Sequence, residues 1–310
     1  MFAPPKRIET DVFARLPDRY RRGQTATAWG TAQRPGHVFD SFLEGPSFDR
    51  AGNLYVVDIP FGRVFRISPE GTFELVTEYD GEPNGLKIHS DGRIFIADYR
   101  HGIMQLEPET GTVTTLIDRR YAERFKGVND LVLAANGDLY FTDQGQTGLH
   151  DPSGRVYRLT AAGRLERLLD NVPSPNGIAL SLDEKVLYVA VTRGNCVWRV
   201  PLQPDGGTSK VGLFIQLSGG WGGPDGLALD ADGGLVVAHA GLGSAWHFSP
   251  LGEPLHRIVS CEGLATTNIA FGGPGNRQLF ITESESGCVL RAQLPVAGHP
   301  MLSHRGAERD

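Results

Sequence analysis

Six polar residues recur along the chain at near-equal intervals: Glu44, Asn84, Asn129, Asn176, Asp225 and Asn268, separated by 40, 45, 47, 49 and 43 positions. Their carboxylate and carboxamide oxygens are donors for a hard divalent cation. Calcium is the first candidate, with magnesium, manganese or zinc as alternatives, because the set contains no cysteine or histidine to favour a softer ion. A second set follows each of these by 14 or 15 positions: Asp58, Asp98, Asp143, Val191, His239 and Glu283. The twelve positions hold six carboxylates and no Lys or Arg. Carboxylates gathered at one mouth would repel and rise in pKa, and a bound cation relieves that cost. Asp58 and Asp98 also read as acceptors for nearby backbone N–H groups, the usual role of Asp beside a turn.

The elements that must position these residues are legible as a repeat. One strand pattern, β-branched and aromatic, occurs six times: Asn53 to Asp58, Arg93 to Asp98, Asp138 to Asp143, Val186 to Val191, Gly234 to His239 and Gln278 to Glu283. A short apolar strand precedes each, across turns such as Asp91-Gly92, Asn136-Gly137 and Asp232-Gly233. A third strand follows, as in Gly154 to Leu159. A period near 45 with three or four strands per unit is that of a propeller blade. The fold class is therefore all-β: a six-bladed β-propeller with four-stranded antiparallel blades. The last unit has three clear strands, and Asp11 to Leu16 has no neighbour in sequence to pair with. It is expected to supply the missing strand and close the ring, removing two sheet edges. The chain then divides into one propeller domain over 1–310, with a closing strand at 10–17, a leader at 18–41, six repeats at 42–294 and a loose tail at 295–310.

In a propeller the first strand of each blade lines the central channel, so the six polar residues face one mouth. Other classes are excluded by composition. The chain has 310 residues, 40% hydrophobic, with a net charge of −6. No apolar run reaches the ~20 residues a bilayer demands, and the acidic balance gives no footprint for nucleic acid. The first ten residues contain Pro4-Pro5-Lys6-Arg7 and no apolar stretch, so a cytoplasmic location is expected. Cys196, Cys261 and Cys288 are too few and scattered for a disulfide framework and read as buried free thiols. A small molecule is the expected partner, with neither membrane nor nucleic acid; the oligomeric state is not encoded in these patterns.

Four segments carry a resemblance: Leu43-Glu44-Gly45-Pro46, Gly127-Val128-Asn129-Asp130-Leu131, Pro175-Asn176-Gly177-Ile178-Ala179-Leu180-Ser181 and Gly223-Pro224-Asp225-Gly226-Leu227. In order and spacing they resemble the signatures of the gluconolactonase and regucalcin family of six-bladed propellers, over roughly Phe42 to Leu294. The resemblance implies a divalent ion at the channel mouth, with Glu44, Asn176 and Asp225 as ligands and Asn129 as a fourth ligand or substrate contact. It implies hydrolysis of a lactone, the metal polarising the ring carbonyl and Asp225 taking a proton from water, or attacking directly as a nucleophile. His239, in the same blade as Asp225, is the candidate second proton carrier. Alternatives on the same scaffold are a phosphotriesterase or fluorophosphatase activity and a non-catalytic calcium-binding or interaction propeller.

Departures from the family pattern bear on the substrate. The Arg that sugar-lactone members carry shortly before Asn129 is absent here, where uncharged Val128 stands and Lys126 is the nearest cation. Blade three carries an insertion, Gln144 to Ser153, and blade five opens with Ser218-Gly219-Gly220-Trp221-Gly222-Gly223. Both are candidates for a lid or a substrate wall. The leader, basic at Arg19-Tyr20-Arg21-Arg22 and Gln33-Arg34, reads either as a solvated segment or as a flap over the mouth that meets an acidic substrate.

Overall fold

The repeated β-branched runs form the second strand of six antiparallel sheets. The computed structural model describes residues 2–23 and 25–304. Blade one runs from Leu43–Phe48 through Leu54–Asp58 and Arg63–Ile67 to Phe73–Glu78, each strand pairing with the next. The pattern repeats over 83–117, 128–172, 175–216 and 223–259. Blade six has Thr266–Gly272, Gln278–Glu283 and Cys288–Gln293, and its fourth strand is Asp11–Arg15, antiparallel to Cys288–Gln293. The first strands neighbour one another in a closed cycle, from Leu43–Phe48 round to Thr266–Gly272 and back. The fold is a six-bladed propeller closed by its N-terminal strand, as the repeats predict.

Packing between blades supplies the core. Val56, Phe65, Phe48 and Phe280 are buried where blade one meets blade six, and Val57, Leu86 and Ile96 where it meets blade two. Burying side chains of this size stabilises each by roughly 1.5–3 kcal/mol, so the blades are held mainly by faces, not by edges.

All six first strands share an irregularity. The pairing register breaks at Glu44/Ser47, Pro83/Gly85, Val128/Leu131, Pro175/Ile178, Pro224/Leu227 and Thr266/Asn268. A bulge at this point leaves a residue out of the ladder and re-aims its side chain. The residue released is Asn84, Asn129, Asn176 or Asp225 in blades two to five, and in blade six it is Thr267. The expectation of Asn268 is thus one residue out. Thr266 pairs with Glu283 just as Val128 pairs with Asp143, so Thr267 stands where Asn129 does and Asn268 where Asp130 does.

The position after the ring residue is where adjacent blades touch. A Cβ on Gly177 would lie 2.1 Å from the Asp225 carbonyl oxygen, so only glycine lets these two strands approach. Gly45 has a φ of 58° as well, in the left-handed region that disfavours a side chain.

The termini are more ordered than expected. Lys6–Glu9 adds a parallel fifth strand to the outer edge of blade five, so the N-terminal segment clamps blade five as well as blade six. The tail predicted to be loose is docked over Gly298 to His304. His299 N–H donates to Leu229 O (2.9 Å), Ser303 Oγ to Phe48 O (2.8 Å), and Arg50 Nε to Ser303 O (2.8 Å). It crosses the lower end of the channel from blade five to blade one; residues 305–310 of that predicted tail lie outside the described residues. The three cysteines are free, with Cys196 and Cys288 buried and Cys261 exposed, contrary to the expectation for that one. No helix among the described residues is long and apolar enough to cross a membrane.

Candidate functional site

The first strands deliver Glu44, Asn84, Asn129, Asn176, Asp225 and Thr267 to the floor of one cavity of about 640 Å³ at the upper mouth. Glu44 is 3% exposed and Asp225 9%. One Glu44 oxygen, Oε2, accepts Gly45 N–H (2.8 Å) and Asn268 Nδ2–H (2.8 Å). The Asn176 side chain bonds the Asp225 carboxyl, and Asn129 Nδ2 donates to Gln144 Oε1 (2.9 Å).

Burial is the main force on both acids. It pushes Glu44 upward against the hydrogen bonds from Gly45, Asn268 and Thr267 that favour its charge. Asp225 is pushed well up by burial first, then by the negative charges of Glu44 and Asp130, with Arg193 a smaller opposing influence. Neither forms an ion pair with Lys or Arg among the described residues, while the third buried acid, Asp130, has Lys87 Nζ at 3.7 Å. Two buried acids, one raised by the charge of the other, are in the condition that a cation would relieve.

The donor chemistry fits a hard divalent ion. No cluster of three or more His, Cys, Asp or Glu occurs among the described residues. An ion at this mouth would therefore be held by two carboxylates, Glu44 and Asp225, with amide oxygens of Asn129 and Asn176 completing the set.

The second-strand ends behave differently. Asp58 is fully buried and accepts Phe42 N–H (2.7 Å) and Arg63 Nε–H (3.0 Å). Asp98 accepts from Tyr79 Oη (2.8 Å), Glu82 N (2.9 Å) and Arg100 N (2.8 Å). Asp143 accepts from Lys126 and Gly127 N–H, and Glu283 from Ala265 and Ser286 N–H. Each carboxylate fastens the loop that leads into the first strand of its own blade. None of them lines the cavity.

His239 is also kept away from the cavity. It is fully buried; Trp246 Nε1–H donates to its Nδ1 (3.2 Å), which leaves Nε2–H to donate to Gly219 O (3.1 Å). Both ring nitrogens are engaged, and burial lowers its pKa, so the imidazole is neutral. It pins the glycine-rich loop before blade five, and that loop sets Trp221 on the cavity wall.

The walls come from segments outside the repeat. The leader folds over the mouth: its helix Ala28–Gln33, capped by the Thr27 hydroxyl accepting Gly30 N–H, brings Trp29, Gln33 and the following Arg34 to the cavity. Trp29, Phe39 and Phe42 pack together at ring separations of 4.9–5.6 Å. Trp221 and Leu264 stand on another part of the rim, and Gln144 begins the blade-three insertion beside Asn129. The cluster of Trp and Phe within a leader of basic and small residues is the sequence signal that this segment is buried. Arg193, which also lines the cavity, follows a second strand that ends in Val191 and left no signal in the repeat.

Residues 42–285 match the model of the SMP-30/gluconolactonase/LRE-like region. The chain belongs to that family. Among its relatives, a protein named lactonase drp35 from Staphylococcus aureus is 34% identical over 260 residues, 78% of each chain. Its namesake from Staphylococcus epidermidis is 33% identical over 271 residues, 80% of this chain and 82% of the other. Two solved structures share the fold. A calcium-binding protein, regucalcin, from Agrobacterium tumefaciens superposes with a TM-score of 0.76 at 23% identity, over 97% of this chain and 100% of that one. A gluconolactonase from Xanthomonas campestris gives 0.73 at 23%, over 95% and 99%.

Proposed function

We propose that the protein is a divalent-metal-dependent lactonase, a carboxylic ester hydrolase that opens a cyclic ester to a hydroxy acid. The observation that carries this is the pair of buried acids, Glu44 and Asp225, facing a cavity without a cationic partner, in a chain whose curated relatives are named lactonases. Glu44, Asn129, Asn176 and Asp225 would hold the ion, and calcium suits their all-oxygen set. Bound there, a divalent ion supplies Lewis-acid polarisation of the ring carbonyl.

The chain's own groups do the rest. Asp225, at the floor of the cavity, would take the proton of a water attacking the carbonyl carbon. As the ring C–O bond breaks, that proton returns to the leaving alkoxide, giving a hydroxyl and a carboxylic acid, which then ionises by releasing the second proton of the water to solvent. The amide of Asn176 orients the Asp225 carboxyl, and Asn129, held through Gln144, is the candidate contact for the substrate carbonyl. Trp29, Phe39 and Phe42 give an apolar wall that limits water and suits a ring with hydrocarbon surface. His239 enters as the residue that positions the Trp221 loop, in place of the proton carrier expected from the sequence.

The test is a lactone panel assayed on purified protein, after chelation and after addition of Ca²⁺, Mg²⁺, Mn²⁺ or Zn²⁺ singly. Hydrolysis lost on chelation and restored by one of them is the expected result. Hydrolysis indifferent to chelation overturns the metal, and a panel in which only phosphotriesters turn over overturns the lactone.

A further inference from the structure

A second cavity of about 530 Å³ adjoins the first and is lined by the blade-three insertion, Gly145 to His150, with Gln33, Gln144, Ser174 and Arg193. Gln33, Gln144 and Arg193 line both cavities, so the two share a wall. Their charge is opposite in kind. The first cavity has Glu44, Asp225 and Glu285 against Arg34 and Arg193 in its lining, an acidic balance, whereas the second has no carboxylate, and Arg193 is its one permanent charge.

Arg193 differs from the other arginines around this mouth. Arg34 is paired with Glu285, Arg100 with Asp80 and Arg155 with Glu123. Arg193 is exposed, on the short 3₁₀ turn Thr192–Gly194, and makes no hydrogen bond or ion pair with any described residue. Its stem lies against the insertion, with Cγ 3.5 Å from where a Cβ on Gly148 would sit. Amide side chains surround it. Gln146 is itself held by the Tyr99 hydroxyl (2.7 Å) and Gln144 by Ser174 Oγ (2.9 Å), so both are already oriented.

A guanidinium with five donors and no acceptor partner, at the junction of a reaction cavity and a carboxylate-free annex, is suited to a planar anion. We propose that this annex is a second substrate subsite in which Arg193 binds a carboxylate carried by the lactone, so that acidic lactones are the preferred substrates. The inference rests on the lactonase reading for where the ring sits, over Asp225, and adds what the rest of the substrate is. Sugar lactones, by contrast, would place hydroxyls here and gain little from a lone guanidinium.

The probe is 5-oxotetrahydrofuran-2-carboxylate against its neutral carboxamide, in steady-state kinetics on the metal-loaded protein. The native protein should favour the acid by about tenfold or more in kcat/KM, carried by KM, as expected for a charged hydrogen bond. Arg193→Gln should bring the ratio near one and Arg193→Lys should keep part of it, with unchanged melting temperatures showing that both variants fold. A native ratio near one, or a preference that survives Arg193→Gln, overturns the subsite while leaving the lactonase reading intact. Calorimetry with the ring-opened product, 2-hydroxyglutarate, decides the case in which neither probe is hydrolysed. Binding weakened about tenfold by Arg193→Gln sustains the anion site even as lactone hydrolysis fails; equal binding to native and variant protein overturns it.

Discussion

The two rings of polar residues at the upper face are built from the same residue types and have opposite fates. The first-strand ring, Glu44 and Asp225 with its amides, faces a cavity. The second-strand ring of Asp58, Asp98, Asp143 and Glu283 faces the protein's own backbone, and each of its members accepts N–H groups from the loop entering its blade. The difference lies in where donors are. A loop that folds back over a strand end offers N–H groups to a carboxylate there, and a first strand that turns its side chain into the channel takes it away from those loops, so that Glu44 keeps Gly45 N–H and an Asn268 amide on one oxygen. A carboxylate is available for chemistry here where local structure has failed to satisfy it.

Asp225→Asn gives the largest effect on the contrast. Loss of the proposed base should cut lactone hydrolysis by about 10²–10⁴-fold, while removal of a buried charge leaves the melting temperature unchanged or higher. A variant that still hydrolyses lactones at the native rate would put Asp225 in the structural class. Asp58→Ala is the mirror image: it leaves the buried Arg63 guanidinium without its partner and should destabilise by about 3–5 kcal/mol in urea unfolding, with turnover per folded molecule retained.

Next comes the cation. Saturating metal should raise the stability of the native protein, by about 2.7 kcal/mol at a hundredfold excess over Kd, and Glu44→Gln should remove most of that gain. An equal thermal shift in Glu44→Gln would show that the ion binds elsewhere. The smallest effect concerns Asp143, the outer-ring member least well satisfied. Its Oδ2 is buried with no partner, and burial, against the Gly127 and Lys126 N–H bonds, raises its pKa to about 6. Its folded pKa lies above the unfolded 3.8. Its contribution to stability is therefore full below about pH 4 and lost as pH rises through about 6. Asp143→Asn should match the native protein near pH 4 and exceed it above pH 6, by about 1–3 kcal/mol, as read from pH-dependent thermal melts. A flat difference across that range would place Asp143 among the satisfied members.

Much of the blade architecture was legible because a strand pattern repeated six times needs only local propensity and periodicity. The ring closure was legible for a related reason, since Asp11 to Leu16 had strand character and no partner nearby. Five of the six channel positions could also be counted out. The sixth, Thr267, could not, because a bulge inserts a residue without leaving a mark in composition, and Asn268 looked like the better match. Asp58 and Asp98 were read as backbone acceptors and are such, but the roles of His239, Asp143 and Glu283 were illegible for another reason: an Asp, Glu or His that serves backbone N–H and C=O groups has the same letter as one that serves a substrate.

The segments outside the repeat show the same divide. The leader's Trp29 and Phe39 had no period to fix their place, and the tail from Gly298 to His304 had no strand pattern at all, yet both are docked, at opposite ends of the channel. By itself the sequence determined the all-β class, the six blades, the closing strand and a set of oxygen-rich positions converging on one mouth, because those follow from alternation, turn chemistry and spacing. Only the tertiary structure decided which of those oxygens are left unsatisfied, which aromatic residues wall them in, and where an unpaired Arg193 stands. Those outcomes depend on contacts between residues far apart in the chain, and no local pattern encodes them.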